Sequence, residues 1–317
     1  MTRLTMTGLT MTGLNHLTQR LLGRTLPVLA GTAALAAGTL AGAGAAKAQD
    51  TLIVGSTNFP EQLILANMYE DMLEARGVVE VETRLNLGSR EIVFPALRNG
   101  EIEALPEYTG ALLAHVTSGE TQARKPDDVL AQLRANLPEG IVALEPSPAQ
   151  DKDALVVRPE TAEKHNLTTV SDLADAAGEL IVGGPPEMKT REAGLPGLKD
   201  IYGIEFQEFR SLDAGGPLTK NALKNGDIDV ARMFTTQGAI DENGWVVLED
   251  DKNHIPAQNL IPVIRSDSLT PEIEAVLNEL SAALSTEALT KLNAKVGVEK
   301  MDPDMVAEEW LKAEGLI

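Results

Sequence analysis

Short apolar runs alternate with amphipathic stretches along the chain from Thr51 onward. Strands buried in a parallel sheet are continuously apolar, whereas a helix that covers the sheet has one apolar face. The alternation therefore predicts an α/β protein. In its first part we predict, in chain order, a strand in TLIVGS, a helix over residues 61–76, a strand in VETRLNLG, a helix over 89–99 capped by Ser89, a strand in IEALPEYTG and a helix from Gly110.

The same alternation is repeated after a polar connection. We predict a strand in ALVVRP, a helix in TVSDLADAAG, strands in ELIVGG and IEFQEFRSL, a helix in GPLTKNALKNG, and strands in DIDVARMFTT and WVVLEDD. Residues 259–266, NLIPVIRS, predict a returning strand, and three helical stretches close the chain. We therefore expect two lobes with a ligand cleft between them: residues 49–153 plus 264–317 form a discontinuous first lobe, and residues 154–263 form the second.

The N-terminal segment differs from the rest in charge. The first 49 residues contain four basic residues and no acidic residue, and all 47 Asp and Glu residues lie beyond them. A basic stretch, TQRLLGR, precedes a run of Leu, Ala and Gly, and Ala46-Lys47-Ala48 has the small-x-small pattern of a signal peptidase site. The pattern predicts a signal peptide over residues 1–48, cleaved after Ala48. The alternative is an uncleaved membrane anchor, but Gly and Thr dilute the apolar run.

Charge and cysteine content narrow the class of protein. Cleavage would remove four positive charges and lower the formal net charge from −20 by four, to −24. Such an acidic surface repels nucleic acid and anionic lipid, so neither is an expected partner. The sequence has no Cys, which excludes disulfides, thiolate nucleophiles and a lipid-modified Cys. We expect a monomeric protein free in the periplasm, not a lipoprotein.

The sequence gives little support for catalysis or metal binding. The four His residues, His16, His115, His165 and His254, are far apart and have no HxxxH or HxH spacing. No G-x-S-x-G, Walker or G-x-G-x-x-G motif occurs. We therefore predict a binding protein that is not an enzyme and has no metal or cofactor.

Polar or aromatic residues follow several predicted strands, where the cleft would lie. The stretches are GSTNFPEQ, PEYTG, GGPPEMKTREAG, DIDVARMFTTQGAI and, at the hinge, HIPAQN. Simpler roles are helix capping by Ser56 or Asn58, packing by Tyr108, and a surface ion pair between Glu187 and Arg191 worth about 0.3–0.5 kcal/mol. The candidate ligand-binding residues are Ser56, Thr57, Asn58, Gln62, Tyr108, Thr109, Ala111, Asp151, Asp153, Glu187, Arg191, Phe234, Thr235 and Gln258.

These stretches, in this order, resemble the glycine betaine, choline and carnitine substrate-binding proteins of ABC importers. The resemblance extends over nearly all of the chain after the signal peptide and includes ALRNGEIEALPEYTG, PEMKTREAG, LDAGGPLTKNALKNGDIDVARMFTTQGAI and VVLEDDKNHIPAQN. It implies a type II periplasmic binding-protein fold that closes on its ligand, a membrane permease as partner, and no enzymatic activity. In this family, Tyr rings hold a trimethylammonium head by cation–π attraction, and an Arg clamps a carboxylate.

The resemblance places the first cage ring at Tyr108 and the clamp at Arg191, beside Glu187. Three other cage positions differ. Asp153 replaces a Tyr, Phe234 begins a run that is Tyr-Ser-Thr-Asp in the family, and Gln258 replaces the Tyr of a Pro-Pro-Tyr. Each lost ring removes roughly 0.5–2 kcal/mol of cation–π attraction.

Two ligand classes remain open. One is a betaine-like osmolyte, bound weakly and attracted by Asp151 and Asp153, and the other is a different small zwitterion or polar solute. Two other functions remain as alternatives: a ligand-sensing module or enzyme on the same fold, and a protein-interaction role.

Overall fold

Two five-stranded sheets form the centres of two lobes in the computed structural model, which describes residues 51–317. The predicted signal peptide and its cleavage site lie outside the described residues. The first lobe begins with β1 (Leu52–Gly55), α1 (Pro60–Ala75), β2 (Val81–Arg84), α2 (Arg90–Asn99), β3 (Ala104–Tyr108), α3 (Thr109–Val116), α4 (Pro126–Asn136) and β4 (Ile141–Ala143).

The chain then crosses to the second lobe and returns. The second lobe contains β5 (Asp153–Val157), α5 (Pro159–His165), β6 (Ile181–Gly184), α6 (Leu195–Gly197), β7 (Glu208–Ser211), α7 (Pro217–Asn225), β8 (Val230–Phe234), α8 (Ala239–Asn243) and β9 (Val246–Val247). The returning part comprises β10 (Leu260–Arg265), α9 (Pro271–Ala283), α10 (Thr286–Gly297) and α11 (Pro303–Glu314). Shorter 3₁₀ turns occupy Ser171–Asp175, Ala177–Glu179 and Pro186–Lys189, and a π turn occupies Leu198–Tyr202.

Both sheets have the same plan. The strand orders are β2-β1-β3-β10-β4 and β7-β6-β8-β5-β9. In each sheet the first three strands are parallel, and the fourth is antiparallel to both of its neighbours. That fourth strand is the one that follows a crossing between lobes: β5 in the second sheet and β10 in the first.

Strand pairing moves both predicted lobe boundaries. Leu260 lies opposite Tyr108 in the first sheet. The chain has therefore returned to the first lobe by residue 260, whereas the predicted second lobe extended to residue 263. Asp153, predicted to end the first lobe, lies opposite Phe234 in the second sheet. An apolar run shows that a strand forms but not which sheet it joins, because that choice depends on backbone hydrogen bonds to distant residues.

Some predicted local structure also differs. TVSDLADAAG forms two 3₁₀ turns and no α-helix. The Asp172 carboxylate accepts hydrogen bonds from the backbone N–H groups of Thr168 and Thr169, at 2.9 and 2.7 Å, and this local turn competes with a regular helix. Ser89 precedes α2, but its hydroxyl donates to Glu91 at 2.7 Å and caps no backbone group.

The three C-terminal helices pack on the first lobe, as the sequence predicts. Buried side chains of α9, α10 and α11 join those of α1 in one apolar cluster. Its members include Met68 and Met72 of α1 and Leu311 of α11, none of which is exposed. A separate cluster fills one face of the second sheet. No helix within residues 51–317 is long and apolar enough to cross a membrane.

We predict that Leu311→Ala destabilises the protein by about 2–5 kcal/mol, because it leaves a cavity between α11 and α1. Met305, also on α11, is 50% exposed, and Met305→Ala is expected to change stability by no more than about 0.5 kcal/mol. Urea unfolding of both variants measures the difference. Equal effects of the two substitutions would show that α11 does not contribute to the core of the first lobe.

Candidate functional site

The cleft between the lobes encloses a cavity of about 490 Å³. Its walls come from the carboxyl ends of β1, β3, β6, β7 and β8, from the first turns of α2 and α3, and from both crossing segments. Open α/β sheets bind small molecules at this edge, where loops and helix N-termini face one another.

Three aromatic rings form a row along the cleft and connect the two lobes. Phe59, in the loop after β1, stacks on Tyr108 at the end of β3, with ring centroids 6.2 Å apart. The same Phe59 stacks on Phe234 of the second lobe at 4.8 Å, with the ring planes inclined by 20°. Because stacked rings cover each other's faces, this row offers a ligand an apolar surface on one side. It is not a box that surrounds a cation.

Two arginines of the cleft wall are held within their own lobes. Arg90, on α2, donates two hydrogen bonds of 2.7 Å to the carboxylate of buried Glu107. Burial alone would lower the pKa of Arg90, but the charge and hydrogen bonds of Glu107 outweigh it and raise that pKa. In the second lobe, Arg232 pairs with Asp153 and lies 4.1 Å from the centre of the Phe234 ring.

Two further arginines pair across the cleft. Arg191, in the loop after β6, donates to both carboxylate oxygens of Glu91 at the start of α2, at 2.9 and 2.8 Å. Its neighbour Glu192 lies 3.6 Å from Arg124 of the first lobe. The two pairs run in opposite directions between the lobes. Burial would raise the pKa of Glu91, but the hydrogen bonds from Arg191 and Ser89 lower it to about 2, so Glu91 is charged at neutral pH.

A buried carboxyl pair lies beneath the rings, where the lobes join. Glu61 of α1 accepts hydrogen bonds from the Tyr108 hydroxyl at 2.5 Å, from the Thr236 hydroxyl at 2.8 Å and from the Asn293 amide. Asp151, on the first crossing segment, accepts from the backbone N–H of Thr236 at 3.1 Å. Burial raises the pKa of both acids, and the charge of Glu61 contributes to the rise at Asp151.

Comparison with known proteins identifies the family. Residues 50–313 match the substrate binding domain of ABC-type glycine betaine transport system. The chain belongs to this family. It is 30% identical over 270 residues to the carnitine transport binding protein OpuCC of Listeria monocytogenes, covering 83% of this chain and 87% of that relative. It is also 30% identical over 296 residues to a glycine-betaine-binding protein of Pseudomonas aeruginosa, covering 89% and 94%.

Solved structures of the glycine betaine family have the same fold. One, described as a glycine betaine/carnitine/choline ABC transporter, superposes with a TM-score of 0.68 at 27% identity and covers 84% of this chain and 99% of that one. These findings confirm the predicted family and the two-lobed periplasmic binding-protein fold. The family consists of extracytoplasmic substrate-binding proteins of transport systems and is not a family of enzymes.

The structure brings most of the predicted site residues to the cavity wall. Ten of the fourteen line it: Thr57, Asn58, Tyr108, Ala111, Asp151, Asp153, Glu187, Arg191, Phe234 and Gln258. The other four do not line it. Ser56 accepts a hydrogen bond from the backbone N–H of Asn86, Thr109 donates to the carbonyl of Ala257, Thr235 accepts from the backbone N–H of Lys152, and Gln62 is buried in α1.

Two of the simpler roles considered for these residues are not found. Residues 186–189 form a 3₁₀ turn and no α-helix, and Arg191 pairs with Glu91 of the other lobe, not with Glu187. Neither Ser56 nor Asn58 caps α1, whose N-terminal residue is preceded by Phe59 with no side-chain cap. Gln258, at a position where the family resemblance implied a Tyr, accepts a hydrogen bond from the backbone N–H of Ala111 at 2.9 Å and thereby fixes the start of α3.

Sequence reasoning missed several residues of the wall. Phe59, the central ring of the row, lies inside GSTNFPEQ but is not among the residues predicted from sequence. Arg232 could have been found from Phe234, because residues two apart in a strand face the same side. Glu91 and Arg124 had no local signal, since their role depends on the opposite lobe. No group of three or more His, Asp and Glu side chains among residues 51–317 is arranged to hold a metal ion.

We predict that the free energy of unfolding falls less with rising pH in Asp151→Asn than in the wild type. The pKa of Asp151 in the folded protein lies above its ordinary value of 3.8, so its contribution to stability is present at low pH and lost as the pH rises through the folded-state pKa. An amide at this position cannot ionise. Urea unfolding at roughly pH 5 and roughly pH 8 should show a smaller loss of stability in the variant than in the wild type.

The matched control for this substitution is Asp175→Asn on the exposed surface of the second lobe. It is expected to follow the wild type at both pH values. If Asp151→Asn also follows the wild type, Asp151 is not a source of the pH dependence.

Proposed function

We propose that this chain is the exported substrate-binding component of an ABC importer and that it captures a small zwitterionic or quaternary-amine osmolyte, such as glycine betaine or choline. The row formed by Tyr108, Phe59 and Phe234 carries this proposal. Aromatic rings attract quaternary ammonium groups, and Glu187 and Asp213 on the same wall, which form no salt bridge within the described part of the chain, favour a positive charge in the cleft. The named ligands of the relatives, carnitine and glycine betaine, share a trimethylammonium head and support the same class.

Delivery to a membrane permease follows from the family, whose members are the binding domains of ABC-type transport systems. We propose that the signal segment over residues 1–48 directs export and that cleavage after Ala48 releases the protein into the periplasm. N-terminal sequencing of the secreted protein tests the cleavage site. A mature chain beginning at any other residue would correct it.

A second candidate is a binding protein for a different small polar solute. Asp153 favours it, because this residue stands where the family resemblance implied a cage Tyr and pairs with Arg232, which gives this part of the wall charged groups. Calorimetric titration with glycine betaine, proline betaine, choline, carnitine and amino acids separates the two candidates. Binding of a quaternary amine below millimolar concentration supports the first. Binding of amino acids alone supports the second.

We predict that Phe59→Leu weakens the binding of quaternary amines by about 2- to 30-fold, because Leu keeps the apolar volume but removes the central ring. Phe206→Leu is the control, since Phe206 packs on the core of the second lobe outside the cleft. Calorimetry with the tightest quaternary amine of the panel measures both. Equal affinities of the two variants would contradict a role of the ring row in binding.

A further inference from the structure

Arg191 already has the partner that a ligand carboxylate would supply. Its Nε and Nη2 donate to the two oxygens of Glu91 at 2.9 and 2.8 Å, which is the bidentate arrangement typical of an arginine that holds a carboxylate. The Ser89 hydroxyl, 2.7 Å from Glu91, fixes the same carboxylate from its own helix turn. With a pKa of about 2, Glu91 stays charged over the physiological range, so the pair does not open by protonation.

The remaining arginines of the wall are paired as well. Glu107 holds Arg90, Asp153 holds Arg232, and Glu192 lies 3.6 Å from Arg124. No lysine among residues 51–317 lines the wall. Within residues 51–317, each guanidinium at the cavity therefore has an acidic side chain of the protein beside it.

Acidic groups of the wall remain after this pairing. Glu187 and Asp213 both line the cavity, and neither has a basic side chain within 4 Å in the described part of the chain. Asp213 instead accepts hydrogen bonds from the backbone N–H groups of Leu218 and Thr219 at the start of α7. The described wall therefore carries more acidic than basic side chains, a balance that favours a cation and opposes a ligand carboxylate.

We propose that Glu91 is a specificity-determining residue, which occupies the Arg191 clamp and makes the cleft select cationic amines over amines that also carry a carboxylate. This inference rests on the proposed function, because it divides the proposed ligand class in two. A ligand carboxylate would have to displace Glu91 or approach a guanidinium whose charge is already neutralised. A cation with a neutral tail meets neither obstacle, and it retains the attraction of the rings.

The pair between Arg191 and Glu91 also joins the two lobes, so its removal is expected to affect closure. The neighbouring pair between Arg124 and Glu192 provides the means of separating the two effects. The Arg124–Glu192 pair crosses the same cleft beside the first pair, and its removal leaves Arg191 and Glu91 in place. Loss of closure alone weakens every ligand by the same factor, whereas release of Arg191 favours carboxylates only.

Choline and glycine betaine are the matched probes, because both have a trimethylammonium head. Choline carries a hydroxymethyl group at the position where glycine betaine carries a carboxylate. Calorimetry on the wild type is expected to show choline binding at least about tenfold more tightly than glycine betaine. In Glu91→Gln, the ratio of the two affinities should shift toward glycine betaine by about tenfold or more. Glu91→Ala, which leaves no side-chain acceptor for Arg191, should shift it in the same direction.

The control variant is Glu192→Gln, which is expected to change both affinities by the same factor and leave their ratio at the wild-type value. An unchanged ratio in both Glu91 variants, or a wild type that prefers glycine betaine, would overturn the role of Glu91 and leave the proposed function standing. If neither probe binds to the wild type or to the Glu91 variants, this inference is wrong, and the proposed function is then decided by the other quaternary amines of the panel.

Discussion

The antiparallel pairing of the two crossing strands is the interaction on which the rest of this structure depends. β5 pairs with β8 in the second sheet, and β10 pairs with β3 in the first. Each crossing strand therefore becomes part of the sheet it enters, which anchors both connections between the lobes in the two sheets. The same pairing sets the floor of the cleft, because the register places Leu260 opposite Tyr108 and Asp153 opposite Phe234.

Several polar groups that are removed from water at this junction form hydrogen bonds that link the lobes. Glu61 of α1 contacts Thr236 of the second lobe and Asn293 of α10, so one carboxyl joins three parts of the chain. Close approach of backbones supports the same joint, since a Cβ atom on Gly238 would lie 2.6 Å from the Ala294 side chain. Burying two acids together is costly unless they are hydrogen-bonded or protonated, which explains the raised pKa of Asp151.

Charge pairing in the cleft has a consequence for recognition. A guanidinium near a ligand site is often taken as a carboxylate clamp from its residue type alone. Here Arg191 contacts Glu91 of the opposite lobe, so the charge that would attract a ligand acid is already balanced. The rings likewise form a row, because Phe59 fills the space between Tyr108 and Phe234. The site combines an apolar strip with a surplus of acidic groups.

The sequence by itself determined the two-lobed α/β fold, the family, and most of the strand-end residues that line the cleft. Those features depend on local periodicity, on turn chemistry and on long motifs in a fixed order, all of which are contained in neighbouring residues. Only the tertiary structure decided where the lobes divide, which carboxylate each arginine meets, and that Phe59 is the central ring. The physical reason is distance along the chain. Arg191 and Glu91 are 100 residues apart, and no local pattern specifies which charges meet when two separately formed sheets close on one another.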